Sequence, residues 1–206
     1  MLFSYLEKQD EIEIIKKEHA EMELQFLKSQ ISPHVLFNNL NTIYSYALEK
    51  PEEVPKMILM LSDNLKHVLY ESNADKIALK KEIEYIDNYI AFQKIRTENI
   101  KEITYKKDIE DVTTHKIAPL LLITIIENAF KHSPPKSIIS IFISVKKGVL
   151  ECNCENKINI NTKTKSNSQI GLLNLKKRLN LLYKSKYKLR ITDTETYQVN
   201  LKIKLL

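Results

Sequence analysis

Glycine is almost missing from this chain: its 206 residues include only Gly148 and Gly171. That is very few for a protein that handles nucleotides, because close approach of backbone to phosphate usually relies on residues without a Cβ. Cysteine is equally scarce, and Cys152 and Cys154 stand two apart on what reads as a strand. Both thiols then face one side, a spacing that makes neither a zinc site nor an obvious disulfide and that suits a reducing cytosol. No stretch approaches the roughly 20 apolar residues that a membrane-spanning helix needs. The net charge of +6 is spread along the chain, and no short Lys/Arg cluster interleaved with aromatics marks a nucleic-acid groove. Nucleic acid is therefore not expected as a partner. The length allows one or two compact units with a real core.

What the chain does have is a polar row on an apolar helix. In SQISPHVLFNNLN, Ser29 to Asn41, the apolar residues Ile31, Val35, Leu36, Phe37 and Leu40 recur at helical spacing despite Pro33. Gln30, His34, Asn38 and Asn41 sit three or four residues apart and share a face. A helical histidine is most often just solvated or hydrogen-bonded. Asparagine, however, is a poor helix former, so Asn38, Asn39 and Asn41 in one strongly helical segment imply a requirement other than folding.

A second helical run, IAPLLLITIIENAFKHS from Ile117 to Ser133, is mostly apolar and expected to be buried. Its Glu127, Asn128, Lys131 and His132 fall within about 140° of one another on a helical wheel. One account of that stripe is an ordinary Glu127–Lys131 ion pair. The other is a nucleotide-phosphate and metal site, in which Asn128 and Glu127 offer oxygen ligands to Mg²⁺ and Lys131 is set against phosphate.

Periodicity organises the remainder. Residues 4–30 read as a charged helix with a short heptad-like stripe of Ile12, Ile15, His19, Met22 and Phe26, continuing through His34 to about Leu48. Pro51 and Pro55 bracket a turn before a helix from about Glu52 to Tyr70. Two such antiparallel helices expose too much apolar surface to stand alone, so pairing with a second copy into a four-helix bundle is expected. A third helix follows at about Leu79 to Glu98, with Ile83, Ile86, Tyr89, Ile90 and Gln93 inward. Strands are predicted at Lys101 to Lys107, Ser137 to Lys146 and Val149 to Cys154, with Lys147-Gly148 as a hairpin turn, and a last hairpin at Leu189 to Asp193 and Gln198 to Leu205. Mixed helices and hairpins make this half an α/β sandwich rather than a parallel doubly wound sheet. The Asn-, Thr-, Lys- and Ser-rich stretch between Asn156 and Ile170 cannot build a core and reads as a loop.

These motifs resemble the LytS-type sensor histidine kinases. The phosphoacceptor motif of that family reads approximately Q-I-N-P-H-F-L-F-N-x-L-N. Gln30, Ile31, Pro33, His34, Leu36, Phe37, Asn38, Leu40 and Asn41 match it, with Ser32 and Val35 as departures. The family's ATP-site helix, approximately P-x-x-L-x-x-x-x-E-N-A-x-K-H, falls on Pro119, Leu122, Glu127, Asn128, Ala129, Lys131 and His132. IGLLNLKKRLNLLY, Ile170 to Tyr183, resembles a third motif, G-I-G-L-x-N-x-x-x-R-L, which brings in Gly171, Leu172, Asn174 and Arg178. The likeness covers roughly residues 20–206.

The resemblance implies an α+β chain: a coiled-coil-like signalling helix (1–30), a dimerisation and phosphoacceptor hairpin (31–78) and a catalytic α/β-sandwich domain (79–206) of the kind shared by histidine kinases, gyrase-type ATPases and Hsp90-type chaperones. It implies ATP and Mg²⁺ as cofactors, Asn128 as metal ligand, His34 as the phosphorylated nucleophile and Asn38 as a group that orients either the imidazole or a water. Glu127 is either the base or a metal bridge. In place of the family's Asp-x-Gly element the chain has Cys154-Glu155-Asn156-Lys157, so Glu155 or Asn156 is left to accept from the adenine amine. Lys163 or Lys165 of the implied lid is a candidate for the phosphates, and Gly171 alone for close backbone approach. Implied partners are a second copy of the chain and the receiver domain of a response regulator. The chain is expected to be the cytoplasmic portion of a bacterial membrane receptor, tied to the membrane only through spans that precede it. A pseudokinase scaffold that dimerises without productive ATP turnover is the alternative.

Overall fold

The computed structural model describes residues 33–72, 74–98, 100–110, 114–158 and 168–205. The expected signalling helix, Gln30, and the lid with Lys163 and Lys165 lie outside the described residues, as does the side chain of His34. The chain divides into two units, Met1–Ile58 and Leu59–Leu206.

In the first unit helix α1 (Pro33–Glu49) is followed by a 3₁₀ turn (Pro51–Glu53). Pro51 opens that turn, where a missing N–H costs nothing. Helix α1 buries Asn39 and Ile43. Phe37, Leu40, Tyr44 and Leu48 stay 64%, 46%, 69% and 71% exposed, a row at spacings of three and four that the described residues leave uncovered. Helix α2 (Val54–Lys66) carries the chain into the second unit and runs on as a π turn (His67–Glu71), a widening of the helix that sequence periodicity does not announce.

The second unit contains β1 (Ile77–Ala78), α3 (Leu79–Arg96), β2 (Lys101–Ile109), β3 (Lys116–Ile117), α4 (Leu121–His132), β4 (Ser137–Lys146), β5 (Val149–Lys157), α5 (Ser168–Tyr183), a 3₁₀ turn (Lys184–Lys186), β6 (Tyr187–Asp193) and β7 (Thr196–Lys204). Five strands form one sheet in the order β2-β4-β5-β7-β6, while β1 and β3 make a separate two-residue ladder. Strands β2 and β4 are parallel and every other pair is antiparallel. The parallel pair must be joined by a crossover, and α4 lies in that connection. Lys147 and Gly148 both adopt left-handed backbone, φ 49° and 71°, the conformation of a two-residue hairpin turn whose twist matches its strands.

Strand alternation decides what faces the helices. On β5 the buried set is Leu150, Cys152, Cys154 and Asn156. Leu150, Cys152 and Cys154 pack in one core with Ile139, Ile141 and Ile143 of β4, Leu201 and Ile203 of β7, and apolar residues of α3, α4 and α5. The two thiols are core groups: both are free and buried, and burial pushes Cys152 up to about 12 and Cys154 well above its ordinary value. They offer no reactive thiolate.

Candidate functional site

Helix α4 carries the predicted polar stripe, and its position is set by four hydrogen bonds from three side chains at its entry. The segment Ala118-Pro119-Leu120 enters the helix with Leu120 in left-handed backbone, φ 59°, a conformation that a branched residue holds only when its surroundings insist. The surroundings here are specific. Ala118 N–H donates to the Tyr183 hydroxyl at 2.8 Å, and Arg178 Nη2 donates to the Pro119 carbonyl at 2.8 Å. The Glu82 carboxylate accepts from Leu120 N–H at 3.0 Å and Leu122 N–H at 3.4 Å. Glu82 is fully buried, so it does from a distance what a capping side chain does locally, against the positive end of the helix dipole. At the other end Lys101 Nζ donates to the Phe130 and Ser133 carbonyls at 2.7 Å and 2.9 Å, matching a cation to the negative end.

Beside this clamp, His67 of the π turn stacks on Tyr85, with ring centroids 4.3 Å apart and planes 6° from parallel. Its Nε2 is 3.6 Å from Glu82 Oε2, too long for a hydrogen bond, and has no other partner.

Two polar atoms on the stripe itself are buried without a partner: Asn128 Nδ2 and His132 Nε2. Orphaned buried groups are uncommon and each calls for a reason. Gly171, in the first turn of α5, faces Asn128: a Cβ built there would lie 3.6 Å from Asn128 Nδ2 and 3.7 Å from its Oδ1. Burial, helped by the neighbouring Lys131 charge, lowers the His132 imidazole below its usual range. Glu127 behaves differently. Its side chain remains exposed by surface area, yet desolvation raises its carboxyl to about 7, with Lys131 pulling the other way. Its charge also adds to burial in raising the phenols of Tyr85 and Tyr89 on α3. The exposed area lets water screen part of that rise. No ion pair joins Glu127 to Lys131 among the described residues, so the simplest structural account of the stripe is not realised.

The histidine kinase family model matches residues 22–101. The chain is 29% identical over 124 residues to the sensor protein LytS of Enterococcus faecalis, covering 60% of this chain and 21% of that protein. It is 30% identical over 180 residues to the sensor histidine kinase YpdA of Escherichia coli, covering 78% of this chain and 30% of that protein. The chain belongs to the LytS-type sensor histidine kinases. It spans only about a fifth to a third of the length of these relatives. Among solved structures, the catalytic domain of histidine kinase ThkA covers 63% of this chain and 93% of that one, at 16% identity and a TM-score of 0.44.

Within the chain the predicted site residues separate by element. Glu127, Asn128, Lys131 and His132 share α4, and Gly171, Leu172, Asn174 and Arg178 share α5. Gly171 is already helical, because α5 begins at Ser168. Arg178, expected at the nucleotide, is half-buried and held by Pro119, which makes it a positioning group for α4. Of the two adenine candidates, Asn156 is buried on the helix-facing side of β5, whereas Glu155 alternates to the opposite face. Asn156 Nδ2 already donates to the Lys157 carbonyl at 2.8 Å. His34 and Asn38 lie on α1, in the other unit, and Asn38 O accepts from Thr42 Oγ1 at 2.9 Å. Glu82, His67 and Lys101 were not foreseen as contributors. Only Glu82 left a signal, since Leu79, Glu82, Ile83 and Ile86 share the three-and-four spacing of a buried stripe.

No helix among the described residues is long and apolar enough to cross a membrane. Among them, too, no group of three or more His, Cys, Asp and Glu side chains could hold a metal.

Proposed function

We propose that the chain binds Mg²⁺-ATP between α4 and α5 and transfers the γ-phosphoryl group to His34, from which it passes to an aspartate of a response regulator receiver domain. The observation that carries this reading is the pair of orphaned atoms, Asn128 Nδ2 and His132 Nε2, on the stripe that Gly171 faces. The donor set fits a hard cation: the Asn128 carboxamide oxygen and the Glu127 carboxylate are oxygen ligands, and Mg²⁺ ordinarily completes its shell with phosphate oxygens and water. When bound, the ion neutralises charge developing on the transferred phosphoryl group.

The chain's own residues supply the rest. Lys131 bears phosphate charge, Asn156 is the base-recognition candidate on the inner face, and Gly171 leaves the space beside Asn128 open. Leu172 and Asn174 line the start of α5. Neutral imidazole is nucleophilic near pH 7, so His34 needs positioning more than activation. Val35 follows it directly, so no adjacent carboxylate is available as base. Glu127, with its raised carboxyl, serves as the base or bridges the metal. Asn38, one turn after His34, orients the imidazole or a water. The uncovered row of Phe37, Leu40, Tyr44 and Leu48 on α1 supports a homodimer through helical pairing. The same reading places this unit on the cytoplasmic side of a membrane receptor.

The test is incubation with γ-labelled ATP and Mg²⁺: the label should be acid-labile and absent from His34→Ala. Acid-labile label persisting in that variant refutes His34 as acceptor. One observation favours the scaffold alternative: the amide of Asn156 is bonded to its own strand, and no carboxylate stands on the helix-facing side of β5. Calorimetry with Mg²⁺-ATP separates the two readings, since a scaffold gives no binding heat that Asn128→Ala removes.

A further inference from the structure

The sheet ends in a concentration of cations that the nucleotide site does not use. Lys186, Lys188, Lys202 and Lys204 line one shallow open concavity together with Ser185, Tyr187 and Val149, with no carboxylate in its wall. Lys184 and Arg190 extend the same run, and all six cationic side chains are exposed. Lys188 stands directly opposite Lys202 in the β6–β7 register, an arrangement of like charges that destabilises a strand pair. Glu151 pairs with Lys202 at 2.9 Å and leaves Lys188 uncompensated.

Edge protection explains part of this pattern: β6 is the outermost strand, and lysines on an edge discourage pairing with another chain. It does not explain Lys202 and Lys204 on the inner neighbour β7. Nor does it explain why α5, just before Lys184, ends with Leu181 at 76% and Leu182 at 38% exposure. Exposed aliphatic side chains beside a cationic run suit insertion at a headgroup boundary. Nucleic acid would want free aromatic faces instead. Tyr183 is buried, and the Tyr187 hydroxyl is held by Asn180 Oδ1 at 2.6 Å.

We propose that the exposed cations Lys184, Lys186, Lys188, Arg190, Lys202 and Lys204, with Leu181 three residues ahead of Lys184 in the chain, dock the second unit on an anionic lipid bilayer. Phosphodiester headgroups occupy the lysine-lined concavity and relieve the Lys188–Lys202 repulsion, while Leu181 enters the interface. The contact is separate from any membrane span, and it does not depend on which residue is phosphorylated.

Vesicle co-sedimentation of the full 206-residue chain tests it, comparing phosphatidylcholine alone with phosphatidylcholine containing phosphatidylglycerol at 0.1 M salt. Binding is expected only to the anionic vesicles and should fall as salt is raised. Each lysine near the surface contributes about fivefold, so Lys186→Gln/Lys188→Gln/Lys204→Gln should weaken partitioning about a hundredfold. Leu181→Ser should weaken it roughly fivefold with its salt dependence unchanged. Thermal unfolding of each variant establishes that it is folded, and Lys188→Gln alone serves if the triple variant is not. Partitioning that ignores lipid charge, or that survives the triple substitution in a folded protein, overturns the proposal. So does lysine-dependent binding of a DNA duplex without binding to vesicles.

Discussion

Replacing Glu82 by alanine attacks the site without touching it. The carboxylate is fully buried and accepts from two backbone N–H groups at the start of α4. Removing it deletes a helix cap, worth about 1 kcal/mol, and leaves buried donors unpaired, at about 1–3 kcal/mol. A total loss of about 3 kcal/mol follows, to which a small cavity adds. With a urea slope of about 2 kcal/mol/M, the unfolding midpoint should drop by about 1.5 M. Glu82→Gln keeps the volume and one acceptor oxygen, so about 1–2 kcal/mol is expected. Because Tyr183 and Arg178 hold Ala118 and Pro119, directly before the residues that Glu82 holds, the losses should not add. A cycle of Glu82→Ala with Arg178→Met should show a coupling of at least about 0.5 kcal/mol. Chemical denaturation of these proteins reads all of this. A midpoint shift as small as that of the surface substitution Lys80→Ala, or strict additivity with Arg178→Met, would refute the clamp.

Gly171→Ala should separate stability from function. The added methyl meets Asn128 only at ordinary contact distance, so helix propensity should stabilise the fold by about 0.5–1 kcal/mol, while calorimetric Mg²⁺-ATP affinity falls. Glu127 should give the second unit a pH dependence that Glu127→Gln lacks. Its carboxyl is raised in the folded state from 4.5 to about 7, so the native state binds the proton more tightly than the unfolded chain does. Its contribution is therefore fully present below about 4.5 and is lost as pH rises through about 7. Urea midpoints of the wild type should fall relative to Glu127→Gln between pH 5 and pH 8, and parallel curves would remove Glu127 as the raised group. Tyr183→Phe should cost about 1 kcal/mol in the same assay, because the Ala118 N–H loses its acceptor; no change would mean that the N–H finds another partner.

Among the described residues, the sequence by itself determined the helices, most of the strands and the residues that share α4. Those follow from local rules: a 3.6-residue period, a two-residue alternation and a Lys-Gly turn, each written in consecutive residues. The stripe of Glu127, Asn128, Lys131 and His132 was legible for the same reason. Only the tertiary structure decided what surrounds it. Glu82 lies far from Leu120 in the chain, and no local pattern says that its carboxylate caps another helix. Strand alternation could be read, but not which face the helices cover, and that face is what separates Asn156 from Glu155. Arg178 matched a nucleotide motif, yet folding turned it to the Pro119 carbonyl. The lysines of β6 and β7 looked dispersed because a hairpin separates them along the chain, and hydrogen-bond register alone brings Lys188 opposite Lys202. Pairing and burial are long-range outcomes of the whole core, and a one-residue shift in register would rewrite each of these contacts.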